Sequence, residues 1–224
     1  MAIKEIYEVM LGLNTPEQRD IKMPVSQFTK MLRHYVATTD IKVITCRDPA
    51  VGLNQIIVSG SYDPDEDEGN FSSIIVYFNY HPDQKEISIK DVHWKRLCFD
   101  IVECVGHEIV HQTQYRRRDF DVGPLVFLSD ADNLEHRADK EYYGDPDEIE
   151  AYGFSIALEM FLKHRVASLT STNIHKSSIF KMYCKYFGVR HPIVITLLEF
   201  VIAYYTKLNA GTGERHGQKS EQLT

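Results

Sequence analysis

The sequence predicts an α+β fold in which a small, mostly antiparallel sheet packs on one long helix, with further helices before and after it. Apolar residues recur at helical spacing through the first 37 residues and again after residue 92. Between them, residues 41–90 contain four short runs rich in β-branched and aromatic side chains. Helices and strands are therefore segregated along the chain rather than alternating, which is typical of the α+β class.

The first half of the chain supplies the sheet. Helices are predicted over residues 2–37, where Pro24 suits the first turn of the second helix. Strands are predicted at IKVIT (41–45), QIIVS (55–59), SIIVYFNY (73–80) and EISIK (86–90). Their short connections favour antiparallel pairing. The acidic stretch DPDEDEGN (63–70) is predicted to be a solvated hairpin turn.

The second half of the chain is predicted to be helical. Helical patterns cover residues 92–117, 146–165, 174–187 and 191–208. Asp145 and Pro146 suit the N-cap and the first turn of the helix that follows them. Residues 1–208 are predicted to form a single domain, and residues 209–224 a disordered tail.

Composition limits the partners that the chain can be expected to bind. The 224 residues carry a formal net charge of −7, which gives no global attraction to nucleic acid or to an anionic membrane surface. The four cysteines form no CxxC pair, which argues against a cysteine zinc site and for a reducing compartment. No secretory signal and no run of 18 apolar residues is found, so a cytoplasmic protein without a membrane partner is predicted.

The long predicted helix contains the motif HEIVH at residues 107–111. Residues four apart lie on the same helical face, so His107 and His111 can both reach one Zn²⁺ ion. Glu108 is rotated away from that face and stands beside the ion, where it can accept a proton from a metal-bound water. The structural alternative is a polar helix face with two solvated histidines.

A third ligand has to come from elsewhere in the chain. The extended motif HExxHxxGxxH is excluded, because Gln114 and Arg117 occupy its two further positions. The other common solution is a carboxylate on a later helix, and the best candidate is Glu148. Glu135 and Glu150 are the alternatives. Glu148 also stands three residues after the predicted N-cap, so a capping box would explain it without a metal.

The two helices together resemble a known family. HEIVH followed by DEIEAYGFSIALEMF is similar to the gluzincin-type zinc metallopeptidases, especially the ImmA/IrrE-like group and related small phage-encoded metallopeptidases. The matching positions are Glu148, Glu150, Ala151 and Phe154, with Ser155 where Ala is usual. The resemblance implies a minimal zincin-like fold and a metal-ligand role for Glu148. For a phage-encoded protein it implies the host cytoplasm. Tyr152 departs from the Asn or Asp often found in the family, which puts a hydrogen bond to the ligand in doubt.

The expected function is therefore hydrolysis of a protein or peptide substrate, with Zn²⁺ as cofactor and Glu108 as general base. An extended substrate is expected to pair with an edge strand from SIIVYFNY or EISIK. One alternative is a catalytically inactive, zinc-bearing interaction module. Another is a protease that acts on DNA-bound proteins, favoured only by the basic run 116–118. That run is otherwise expected to offset the helix dipole or to bind a substrate anion.

Overall fold

The computed structural model describes residues 3–38, 40–69, 73–120, 137–166 and 168–213. Contacts divide the chain into two compact units, Met1–Val122 and Gly123–Thr224. The stretch predicted as a single domain, residues 1–208, spans both. The predicted α+β class is confirmed, because the described residues form a small mixed sheet and several helices.

The first unit contains the sheet and the long helix. Its helices are α1 (Ile3–Gly12), α2 (Pro16–Arg19), α3 (Val25–Val36), α4 (Pro64–Glu68) and α5 (Trp94–Arg117). Its strands are β1 (Met23–Pro24), β2 (Ile41–Arg47), β3 (Ile57–Tyr62), β4 (Ile74–Tyr80) and β5 (Glu86–Ile87). The helix predicted at 92–117 therefore begins two residues late and ends as expected.

The main sheet is mixed, with the strand order β2-β4-β3. β3 and β4 pair antiparallel, whereas β2 and β4 pair in parallel. The expected antiparallel pairing is wrong for β2, because that strand does not pair with its successor in sequence. It adds to the far side of β4, whose other side β3 already occupies. β5 leaves this sheet and forms a two-stranded antiparallel ribbon with β1.

The long helix α5 packs on β3 and β4 on one side and contacts α1 as well. Its first residue, Trp94, is buried, and its indole Nε1 donates to the carbonyl of Met10 at 2.9 Å. The ring of Phe28 meets the Trp94 ring edge-on, with centroids 6.0 Å apart. This anchoring fixes the start of α5 against α1 and α3, so the rest of the helix is held at a defined position over the sheet.

A buried carboxylate joins α4 to α5. Asp67 is 7% exposed and accepts two hydrogen bonds from Arg116, at 2.8 Å from Nε and 2.6 Å from Nη2. Tyr62, Ser73 and Gln112 also donate to it. The stretch predicted to be a solvated turn thus contains a short helix, because Arg116 compensates the charge of a residue that sequence alone places in water. This pair also gives Arg116, one of the three arginines of the basic run 116–118, a structural role that requires no substrate.

The stability of the first unit should depend on the Asp67–Arg116 pair, and the contribution of the pair should vary with pH. Burial raises the pKa of Asp67, but the hydrogen bonds from Arg116 and Tyr62 outweigh it and hold the pKa below its ordinary value of 3.8. A depressed carboxyl pKa stabilises the fold above the unfolded-state pKa, and that contribution is lost as the pH falls through the folded-state value.

We therefore expect Arg116→Ala to lower the free energy of unfolding at pH 7 by roughly 2 kcal/mol. This is less than the roughly 3–5 expected for a fully buried pair, because the Arg116 side chain is 53% exposed. The deficit should shrink below about pH 4. Urea unfolding across pH measures it, with the exposed Lys95→Ala on the same helix as control. Equal deficits in the two variants would contradict the stabilising role.

The second unit is helical in the residues that the structure describes. Its helices are α6 (Arg137–Gly144), α7 (Pro146–Leu158), α8 (Ser171–Ile174), α9 (Ser178–Phe187) and α10 (Pro192–Gly213), and a π-helical turn covers Glu159–His164 directly after α7. The predicted helix at 146–165 therefore comprises α7 and this turn. α7 and α10 approach closely at Gly153, where a Cβ would lie 2.5 Å from that of Phe200.

The last helix extends past its predicted end at 208, and residues 214–224 of the predicted tail lie outside the described residues. Its stretch Pro192–Ala210 is long and apolar enough to cross a membrane by length and composition. One such helix is weak evidence for a membrane span. Of this stretch 22% is buried, and Val194, Leu197 and Val201 lie in the second unit's core. The absence of a membrane partner stays a prediction.

Candidate metal site

The helix α5 brings the two motif histidines together. His107 is 8% exposed, and His111 is half-buried. Their Nε2 atoms are 3.2 Å apart, and their rings are inclined at 75°. Two nitrogen ligands of a tetrahedral zinc ion at roughly 2.0–2.1 Å lie about 3.3 Å from each other. The two imidazoles therefore have the separation that a shared ion requires, which two separately solvated side chains would not need.

Gln114 orients one of these rings. Its side chain is buried, and its Oε1 lies 2.9 Å from Nδ1 of His111. An amide oxygen only accepts hydrogen bonds, so Nδ1 of His111 carries the proton and Nε2 keeps its lone pair. That is the tautomer a metal ligand needs, with the partner on the opposite nitrogen that such ligands usually have. Gln114 was noted in the sequence only because it rules out the longer motif.

Glu108 lies against strand β3. It is 7% exposed, and a Cβ built on Gly60 would come within 2.8 Å of its Oε1 and 2.7 Å of Cys104 Sγ. Only a glycine therefore allows the strand and this side chain to approach so closely. Burial, reinforced by the carboxylate of Glu108, raises the pKa of Cys104, so that thiol stays protonated and serves as a packing group. Gly60 was missed because the predicted strand ended at residue 59.

Glu148 stands in the first turn of α7. Asp145 caps this helix as predicted, because its Oδ1 accepts from the backbone N–H of Asp147 at 2.8 Å. A capping box would also require Glu148 to bond the N–H of Asp145, but that N–H donates to the carbonyl of Tyr142 at 3.2 Å. The position of Glu148 is therefore not explained by capping.

Two tyrosine hydroxyls form a chain of hydrogen bonds that ends at the Glu148 carboxylate. Tyr142 donates a hydrogen bond to Glu148, and Tyr152 donates to Tyr142. Burial raises the pKa of both hydroxyls, and the negative charge of Glu148 raises it further. The hydrogen bond that Tyr142 accepts from Tyr152 lowers the pKa of Tyr142 but does not outweigh these effects, so both hydroxyls remain donors. The departure at Tyr152 thus does not leave the carboxylate unsupported. Tyr142 thus orients the Glu148 carboxylate, and Tyr152 orients Tyr142.

The three predicted ligands form a group. His107 and His111 of the first unit and Glu148 of the second are a set of side chains that could hold a metal ion, and no other such set of three is found among the residues that the structure describes. Of the two alternatives, Glu150 accepts a hydrogen bond from the Tyr204 hydroxyl of α10 at 2.6 Å, and Glu135 lies outside the described residues. This set could hold a metal ion, and the binding and the identity of that ion are matters for proposal.

Two of the three arginines in the basic run 116–118 make contacts within the protein. Arg116 is committed to Asp67, and the guanidinium of Arg118 lies 4.9 Å from the ring centroid of Tyr115. Such contacts account for two of the three side chains by interactions within the protein. These contacts therefore do not support the prediction that the basic run binds a substrate anion.

Comparison of the chain with protein-family models, with curated proteins and with solved structures finds no match. The resemblance to gluzincin-type metallopeptidases thus stays a prediction that rests on the residues of the two motifs.

Proposed function

We propose that the protein is a zinc-dependent peptidase in which His107, His111 and Glu148 bind the ion and Glu108 is the general base. The observation that carries the proposal is the grouping of two imidazoles and one carboxylate with a second carboxylate one residue after the first histidine. Two histidines and a glutamate form a ligand set typical of catalytic zinc, which leaves a fourth position for water.

The chemistry follows from the roles of these side chains. A zinc ion held by His107, His111 and Glu148 would lower the pKa of a bound water toward neutrality and would polarise the scissile carbonyl. Glu108 would accept the proton of the attacking water and would return it to the leaving amine. Gln114 and Tyr142 hold two of the ligands in orientation. In this proposal α5 on its small sheet is a minimal zincin-like arrangement.

A protein or peptide substrate suits the exposed edge of β3. The strands predicted for this role were SIIVYFNY and EISIK, but β4 is paired on both sides, and β5 lies outside this sheet in the two-stranded ribbon with β1. β3 pairs with β4 along one side only among the described strands, and it lies beside α5. An extended peptide can add to that open side by backbone hydrogen bonds, which brings its carbonyls past Glu108.

The proposal is tested by zinc content and peptide hydrolysis in matched variants. The wild type should hold one zinc per chain after dialysis and cleave members of a peptide library. Glu148→Ala should lower zinc affinity by more than the roughly 10–100-fold that follows loss of an orienting partner, and hydrolysis should stop. Glu150→Ala, two residues away, should keep both. Zinc retained by Glu148→Ala would contradict the ligand set. Stoichiometric zinc without any hydrolysis would favour the interaction module.

A further inference from the structure

A cleft of about 390 Å³ lies between the start of β3 and the first half of α5, within the first unit. We propose that this cleft binds a lysine or arginine side chain of the peptide substrate, two or three residues from the cleaved bond. This inference rests on the proposed peptidase function and specifies its substrate class.

The cleft is aligned with the motif histidines. Asp100 and Glu103 line it and precede His107 by seven and four residues on α5, so all three lie on the same helical face. At 1.5 Å per residue they stand roughly 10 Å and 6 Å from His107 along the axis. An extended peptide advances about 3.3 Å per residue, so its second or third residue from the metal would reach the cleft.

β3 forms the opposite wall and continues to the site. Ile57 and Val58 line the cleft, and Gly60, two residues further, lies against Glu108. One strand and one helix thus border both the cleft and the general base. A peptide that pairs with the open side of β3 would pass the two in succession.

The lining has the chemistry of a site for a long basic side chain. Val92, Leu97 and Ile57 offer an apolar wall for the methylene stem, while two carboxylates and one guanidinium leave a net charge of −1. Arg96 Nε lies 3.5 Å from Asp100 Oδ2, and the Arg96 side chain is 77% exposed. An ion pair this exposed is weak, so a substrate cation can compete for the carboxylate. An acidic substrate side chain would instead be repelled by the net negative charge of the lining.

The inference is tested with peptides in which lysine is placed at each position in turn and compared with norleucine, which has a similar stem without the charge. Two readouts are used: kcat/KM with the wild type, and binding of fluorescent peptides to zinc-loaded Glu108→Gln protein. At one position the lysine peptide should be favoured about 10-fold in both, and less at high salt. The double variant Asp100→Asn, Glu103→Gln should bring that ratio to about one, and the exposed Glu17→Gln should keep it.

The outcomes separate the two proposals. Hydrolysis without a charge preference, or a preference that the double variant keeps, overturns the cleft inference and leaves the peptidase intact. Charge-selective binding that the double variant abolishes, in a protein that cleaves nothing, supports the cleft and overturns the peptidase. If neither peptide binds, the inference fails.

Discussion

Replacing Glu108 with glutamine is expected to abolish peptide hydrolysis and leave the zinc in place. Glutamine has the shape of glutamate but cannot accept the proton of the attacking water. A general base contributes roughly 10²–10⁴-fold to the rate, and kcat should fall by that factor. The grouped ligand atoms belong to His107, His111 and Glu148, so zinc affinity should change little. Zinc content by mass spectrometry and kcat on the best library peptide measure the two effects.

The control for this variant is Glu17→Gln, which makes the same change of charge at an exposed position of the first unit. It should retain both zinc and hydrolysis. Hydrolysis that survives Glu108→Gln would remove this residue from the mechanism. Zinc lost from that variant would instead make Glu108 part of the metal-binding set, and the arrangement of ligands would have to be revised.

The parts of the site that sequence predicts are the parts that helix geometry determines. His107 and His111 meet because residues four apart on any α-helix do so, and the apolar pattern of 92–117 predicts that helix. Asp145 and Pro146 likewise mark the start of α7 through local backbone chemistry. The choice of Glu148 as third ligand follows from the motif resemblance and stays a prediction, and with the two histidines it makes up a set of side chains that could hold a metal ion.

What sequence could not supply are contacts between distant segments. The parallel pairing of β2 and β4 depends on which side of β4 is still open, and no local pattern encodes this. Asp67 reads as one of several acidic residues in a turn, because its partner Arg116 is 49 residues away. Tyr142 and Gln114 carry no motif, and their orienting roles emerge only from the folded arrangement.

Gly60 is the exception, since a signal was present and was not used. Glycine inside a strand weakens it and often marks a close approach by another group. The run IVSGSY continues β3 through this glycine to Tyr62, whereas the prediction stopped at residue 59. A strand glycine near an HExxH helix therefore deserves a test of its own.

Gly60→Ala is expected to lower kcat/KM by about 10²-fold with zinc retained. The new Cβ would lie 2.8 Å from Glu108 Oε1 and 2.7 Å from Cys104 Sγ, so the helix side chains have to move. A displacement of about 1 Å at a catalytic group has this order of effect on rate, and overpacking costs roughly 1–3 kcal/mol of stability. Peptide kinetics, zinc content and urea unfolding measure the three quantities.

Two further variants assign the cause. At Gly12 an added Cβ meets nothing within 4 Å, so Gly12→Ala should keep full activity and serves as the matched control. Adding Cys104→Ala to Gly60→Ala removes the contact with sulfur but not the contact with the carboxylate. Part of the stability should return while activity stays low, because the general base is still displaced. Full recovery of activity in the double variant would show that crowding at the thiol, and not at Glu108, was responsible.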